Sequence, residues 1–189
     1  MKRLSLLIML LAGIQSPVWS AEYWIDSAQG KAQIRFAVKQ LGISWLEGQF
    51  QQFSGEYTYY EHAPADSEIE VSIDMHSVTT NNNNIDAVIK GPDLLHAEKY
   101  PAASFKSSDF EVHDDEKATV TGVFSLHGVA KEISFPVEKV TSQDSGATGF
   151  AGQTTLKLAD YDISFDLGPA SPMIDVYLEI HGEQVEMPF

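Results

Sequence analysis

Residues 118–140 decide the fold: Ala118-Thr119-Val120-Thr121-Gly122-Val123-Phe124-Ser125-Leu126-His127-Gly128-Val129-Ala130-Lys131-Glu132-Ile133-Ser134-Phe135-Pro136-Val137-Glu138-Lys139-Val140. Val120, Phe124 and Leu126 share one parity. Ile133, Phe135 and Val137 share another, after a short turn containing Gly128 and Lys131. Side chains of a strand alternate between two faces, so the stretch predicts a β-hairpin with one apolar and one mostly polar face. A lone hairpin is marginal in water, and the remaining sequence must cover its apolar side.

The same two-residue period recurs along the chain. Residues 31–39 set Ala32, Ile34, Phe36 and Val38 against Lys31, Gln33, Arg35 and Lys39. Residues 41–46 predict an apolar turn or short helix. Residues 48–60 read as one long aromatic strand, with a parity slip between Phe50 and Phe53 that predicts a bulge or bend near Gly55. Residues 68–76 place Ile69, Val71, Ile73 and Met75 on one side. The period then changes: Ile85, Val88 and Ile89 sit at helical spacing between an Asn-rich entry and the stop Gly91-Pro92. Strands resume at 102–112 and 149–158, with 160–172 irregular. The last strand, 173–181, turns Ile174, Val176, Leu178 and Ile180 inward.

The sum is a mainly all-β chain, an eight-stranded antiparallel barrel with a short helical insert between the third and fourth strands. Closing the sheet on itself buries a continuous apolar face and removes exposed edges. A sandwich of two four-stranded sheets is the competing arrangement.

Residues 1–20 stand apart. Lys2 and Arg3 precede an eleven-residue apolar run from Leu4 to Ile14, too short to span a bilayer. Val18 and Ser20 occupy the −3 and −1 positions of a signal-peptidase site. A cleavable signal peptide (1–20), cut after Ser20, and one barrel domain (21–189) are expected, hence a periplasmic location with no stable membrane anchor. Loss of two basic residues takes the net charge from −15 to −17, which disfavours nucleic acid and anionic surfaces. The chain has no cysteine, so disulfides, thiol catalysis and thiolate metal sites are excluded.

The five best-patterned strands carry no titratable group on their inner face. General acid–base chemistry needs one there, so no catalytic residue, metal or cofactor is expected. His76 and His181 fall on outward parity, His62 and His113 lie in turns, and His96 and His127 lack ligand spacing. The interior is expected to hold an apolar ligand, lined by Ile34, Phe36, Val38, Ile69, Val71, Ile73, Met75, Phe105, Phe124, Leu126, Phe135, Leu156, Val176 and Leu178. Two other readings stay open. One is a solid-core acidic barrel that acts as a protein-interaction module. The other is an isomerase or cyclase using a group from the loops around His96 or Asp160.

Several stretches carry a resemblance that spans the chain: Leu41-Gly42-x-Ser44-Trp45-Leu46-x-Gly48-x-Phe50-x-x-Phe53-x-Gly55, Lys99-Tyr100-Pro101-x-x-x-Phe105, Gly122-x-x-x-Leu126-x-Gly128-Val129-x-Lys131, and Asp166-Leu167-Gly168-Pro169-Ala170-Ser171. Together they resemble the YceI family of periplasmic proteins. The resemblance implies a lipocalin-like barrel enclosing a polyisoprenoid or isoprenoid quinone, with no catalytic activity, acting as a monomer or homodimer. The chain departs from the family's pattern at Gln40, where the family usually has His, and at Ile85 and Val88, within its Arg-Asp-x-His-Leu run. Three potentially cationic groups are absent, which implies a neutral rather than a phosphorylated lipid head.

Overall fold

The computed structural model describes residues 20–27, 32–40, 44–60, 62–141, 148–164, 170–181 and 183–184. The expected leader, apart from Ser20, and Leu41-Gly42-Ile43 lie outside the described residues.

Twelve strand segments and one α-helix follow in order: β1 (Ser20–Asp26), β2 (Gln33–Gln40), β3 (Ser44–Phe50), β4 (Phe53–Tyr60), β5 (Glu68–Asp74), β6 (Val78–Thr79), α1 (Asn83–Lys90), β7 (Ala102–Val112), β8 (Lys117–Leu126), β9 (Val129–Thr141), β10 (Thr148–Lys157), β11 (Ala170–His181) and β12 (Glu183–Gln184). All pairings are antiparallel. The hairpin that opened the reading is β8–β9, in register from Lys117↔Glu138 to Leu126↔Val129. Its turn is His127-Gly128 alone, both at positive φ (52° and 80°). Lys131 is therefore not in the turn; it pairs with Phe124 inside the ladder.

Twelve segments replace the eight strands expected, and they form nine runs among the described residues: the eight expected and β1. β3 leads into β4 across Gln51-Gln52, and β5 into β6 across the 3₁₀ turn Met75–Ser77. β3 pairs with β2 and β6, whereas β4 pairs with β1 and β5. β11 and β12 likewise serve β2 and β1 in turn. From β5 the pairing passes through β7, β8, β9, β10, β11, β2 and β3. The β3–β4 corner then returns it to β5, and the curled sheet is a barrel rather than a sandwich. Backbone bonds cross the corner, from Gln51 N to Ser77 O (3.2 Å) and from Asp74 N to Gln52 O (2.9 Å).

Three expectations are corrected here. The long aromatic strand breaks at Gln51-Gln52, where two consecutive polar residues turn the chain, and not near Gly55. Trp45 and Leu46 belong to strand β3, because the β2–β3 register Lys39↔Trp45 and Val38↔Leu46 extends the ladder over them. The last strand begins at Ala170, inside the stretch expected to be irregular. A further strand, β1, was missed: Tyr23 and Ile25 point inward while Glu22 and Trp24 are exposed.

Helix α1 is capped by Asn82, whose side chain accepts from Asn84 N (3.1 Å) and Ile85 N (3.4 Å), which satisfies two of the helix's free N–H groups. Asp86 is buried on it. Its carboxylate accepts from Thr80 Oγ1 (2.7 Å), Thr80 N (2.7 Å) and Thr79 Oγ1 (3.0 Å). That anchor rotates Val88 outward to 53% exposure, so Val88 is not on the inner face. The Thr80 hydroxyl above all holds the Asp86 carboxyl below its ordinary range, with help from the Thr80 N–H, Thr79 and Lys90. A lowered folded-state pKa stabilises above the ordinary carboxylate value and loses that effect as pH falls through it. Hydrogen exchange of the α1 amides should therefore lose protection below about pH 4, and Asp86→Asn should flatten that dependence. Equal acid sensitivity in the variant would contradict this.

Candidate functional site

Inward positions of every barrel wall converge on one space of about 230 Å³. All fourteen residues named from the sequence line it: Ile34, Phe36 and Val38 on β2; Ile69, Val71 and Ile73 on β5, with Met75 just beyond; Phe105 on β7; Phe124 and Leu126 on β8; Phe135 on β9; Leu156 on β10; Val176 and Leu178 on β11. The pairings Val71↔Phe105, Phe105↔Phe124, Leu156↔Ile174 and Phe36↔Val176 stack these side chains around the wall. Among the described residues, Thr154 is the one lining residue with a polar side chain; the others are apolar.

Residues that the strand pattern did not single out complete the lining. Leu46 and Phe50 come from β3, Ile89 from α1, Leu94 and Leu95 from the turn after it, and Leu158 and Ile163 from the segment after β10. Leu95 N donates to Ile89 O (3.0 Å) and His96 N to Gly91 O (2.8 Å), tying that turn to the helix. Period two cannot find Ile89, Leu94, Leu95, Leu158 and Ile163, because they sit outside strands.

The space is a hollow rather than a filled core. Phe124, Ile133, Ile174, Val176 and Leu178 face the core cluster yet remain only half-buried. Engineered apolar cavities of about 150 Å³ already admit benzene. An apolar occupant that filled these walls would gain dispersion contacts and stabilise the fold by binding it.

Among the described residues, no titratable side chain lines this hollow. His96 is half-buried and Asp160 exposed, and neither lines it. Tyr161 packs edge-on against Phe124 at 5.7 Å; burial, and secondarily Asp160, pushes its phenol above the ordinary value. His127 Nδ1 bonds Tyr161 O at 3.1 Å, and its ring lies 4.4 Å from that of Tyr100. His76 contacts Asp74, His113 contacts Thr119 and His181 contacts Glu179. Among the described residues no three metal-capable side chains come together. Ile85 and Val88 stand on α1 half-buried and exposed respectively; Gln40 ends β2.

One end of the barrel is closed by aromatic rings. Tyr23 stacks on Tyr57 (4.6 Å, 10° between planes), and Phe150 meets Tyr57 and Tyr59 edge-on at 5.9 Å. The other end carries α1.

With this geometry in view, the comparisons with known proteins are specific. The YceI-like domain model matches residues 23–184. A UPF0312 protein of Pseudomonas aeruginosa is 36% identical over 167 residues, 86% of this chain and 87% of that protein. The crystal structure of Burkholderia cenocepacia BcnA superposes with a TM-score of 0.77 at 20% identity, covering 84% of this chain and 99% of that one. A polyisoprenoid binding domain from Saccharophagus degradans, implicated in plant cell wall breakdown, superposes at TM-score 0.67 and 15% identity, covering 89% and 100%. The last two speak to the fold. The sequence matches, spanning the barrel that builds the hollow, place the chain in the YceI family.

Proposed function

We propose that this protein carries an isoprenoid lipid, a polyisoprenoid or an isoprenoid quinone, in the barrel's interior, and does so without turning it over. The observation that carries the reading is the lining itself: a hollow of about 230 Å³ with one hydroxyl and no charge among the side chains of its described residues. A solid-core interaction module requires no such space. A polyisoprenoid binding domain on the same fold in Saccharophagus degradans supports the choice of ligand class.

The energetics suffice. A buried methylene contributes roughly 0.8 kcal/mol, so one five-carbon unit supplies up to about 4 kcal/mol. Micromolar affinity needs only about 8 kcal/mol net, which a few units provide after ordering costs. Chain length is weakly discriminated, since apolar walls separate homologues by ~1–3 kcal/mol per methylene. The missing titratable groups support transport or storage over catalysis, and the basic-then-apolar leader supports export to the periplasm.

The test is uptake. Protein incubated with vesicles doped with an isoprenoid quinone, then separated and extracted, should return about one lipid per barrel by liquid chromatography and mass spectrometry. Return of no lipid above a non-lipid-binding control would overturn the reading.

A further inference from the structure

Two rows of side chains cross β10, β11, β2 and β3 at the barrel end that carries α1. The inner row is Leu156, Ile174, Val38 and Leu46, joined by the pairings Leu156↔Ile174, Ile174↔Val38 and Val38↔Leu46. All four line the hollow, and the last three pack with Ile89 of α1. One residue further toward that end, on the outer face, stand Lys157, Met173, Lys39 and Trp45. All four are exposed, Trp45 to 52% and Met173 to 39%. Lys157 pairs with Met173 and Lys39 with Trp45, and the Lys39 ammonium lies 5.8 Å from the Trp45 ring centre. The next outward row down the barrel is Thr155, Asp175, Ala37 and Glu47. Charge therefore changes sign within two residues, about 7 Å of strand. The rim is a belt of two cations alternating with two large apolar side chains.

We propose that this belt docks on the surface of a phospholipid bilayer that contains anionic headgroups. Trp suits that interface because its ring is apolar and its N–H reaches the wet headgroup layer. Lysine stems lie along apolar surface while their ammonium groups stay among the headgroups, and each strengthens attachment to an anionic surface about fivefold. Trp24 supplies the contrast. It is exposed to 59%, but its neighbour across the ladder is the exposed Glu56, a partner that anionic headgroups repel. The chain's net charge of −15 acts mostly from elsewhere. Asp114, Asp115 and Glu116 lie in the turn between β7 and β8, at the far end of the barrel. The ten residues of β10 span about 33 Å, several screening lengths of about 8 Å. Asp160 and Asp162 follow Lys157 at the near end and are exposed; they oppose the lysines, so Trp45 and Met173 carry the larger share. The contact uses only outward side chains, so it holds or fails apart from what the hollow contains. It would bring the Leu156–Ile174–Val38–Leu46 row within one residue of the bilayer interface.

The test uses the protein as recovered after export and floats it with vesicles of phosphatidylethanolamine and phosphatidylglycerol, beside vesicles of phosphatidylcholine. Flotation with the anionic vesicles should exceed that with the neutral ones and weaken as salt is raised. Partitioning should fall about tenfold in Trp45→Ala and about fivefold in each of Lys39→Gln and Lys157→Gln. Trp24→Ala should leave it unchanged. Brominated acyl chains should quench the emission of Trp24→Phe, which keeps Trp45, more than that of Trp45→Phe. All of these positions are exposed, so the fold survives each substitution, and thermal melts check that it does. No flotation of the unsubstituted protein, or flotation unchanged in Trp45→Ala and in both lysine variants, would overturn the proposal. A dimer in solution that Trp45→Ala dissolves, with no vesicle binding, would overturn it and assign the belt to a second copy of the chain.

Discussion

Replacing Val71 with aspartate should strip the barrel of lipid and lower its stability by about 4 kcal/mol, the scale of an uncompensated buried charge. Val71 is 5% exposed, sits between Gly55 and Phe105 in neighbouring strands, and lines a hollow in which, among the described residues, the one polar side chain is Thr154. For a domain of this size the loss corresponds to a fall in Tm of roughly 8–16 °C. The new carboxyl would escape part of the penalty by protonating, so the deficit should shrink as pH falls towards 5. Stability alone does not distinguish a packed wall from a ligand wall, and Phe124→Ala separates them. Phe124 is only half-buried against the hollow, so its truncation should cost less than the ~3–5 kcal/mol of a filled core site. Lipid retained through purification should nonetheless fall several-fold. Thermal melts and extracted-lipid stoichiometry on both variants check the pair; full lipid retention by Val71→Asp would contradict the account.

The second large effect concerns Gly55. A Cβ there would stand 2.2 Å from Glu70 O and 3.0 Å from Val71 Cα, both backbone atoms of the paired strand β5. Neither can swing aside, unlike the Phe36 ring that a Cβ at Gly48 would meet at 2.3 Å. Gly55→Val should therefore force β4 from β5 and cost about 3 kcal/mol or more, measured by urea unfolding. Gly91→Ala is the control. Gly91 caps α1 at φ −66°, which any L-residue adopts, and the nearest atom to its Cβ would be Val88 O at 3.1 Å. Its cost should stay below about 1 kcal/mol. Comparable losses at the two glycines would refute the close-approach explanation.

The β8–β9 hairpin was readable because alternation and a two-residue turn act locally, and neither depends on distant parts of the chain. Eight of the barrel's nine runs were readable for the same reason. The odd spacing from Phe50 to Phe53 did announce a corner, but Gly55 attracted the assignment although its glycine answers to the approach of β5. Tyr23 and Ile25 alternate too briefly beside the leader to declare β1. On α1, helical spacing grouped Val88 with Ile85 and Ile89 without saying which way each faces; the bonds from Thr79 and Thr80 to Asp86 set the helix's rotation, and such contacts are tertiary. The fourteen lining residues follow from parity, whereas Leu94, Leu95 and Ile163 reach the hollow through loop geometry that no period encodes.

Native mass spectrometry of freshly purified protein weighs the central claim most directly. The account predicts an adduct of isoprenoid mass on the folded barrel, released by organic extraction and reduced in Phe124→Ala. A folded protein at its bare polypeptide mass, unchanged after exposure to isoprenoid quinone, would contradict it.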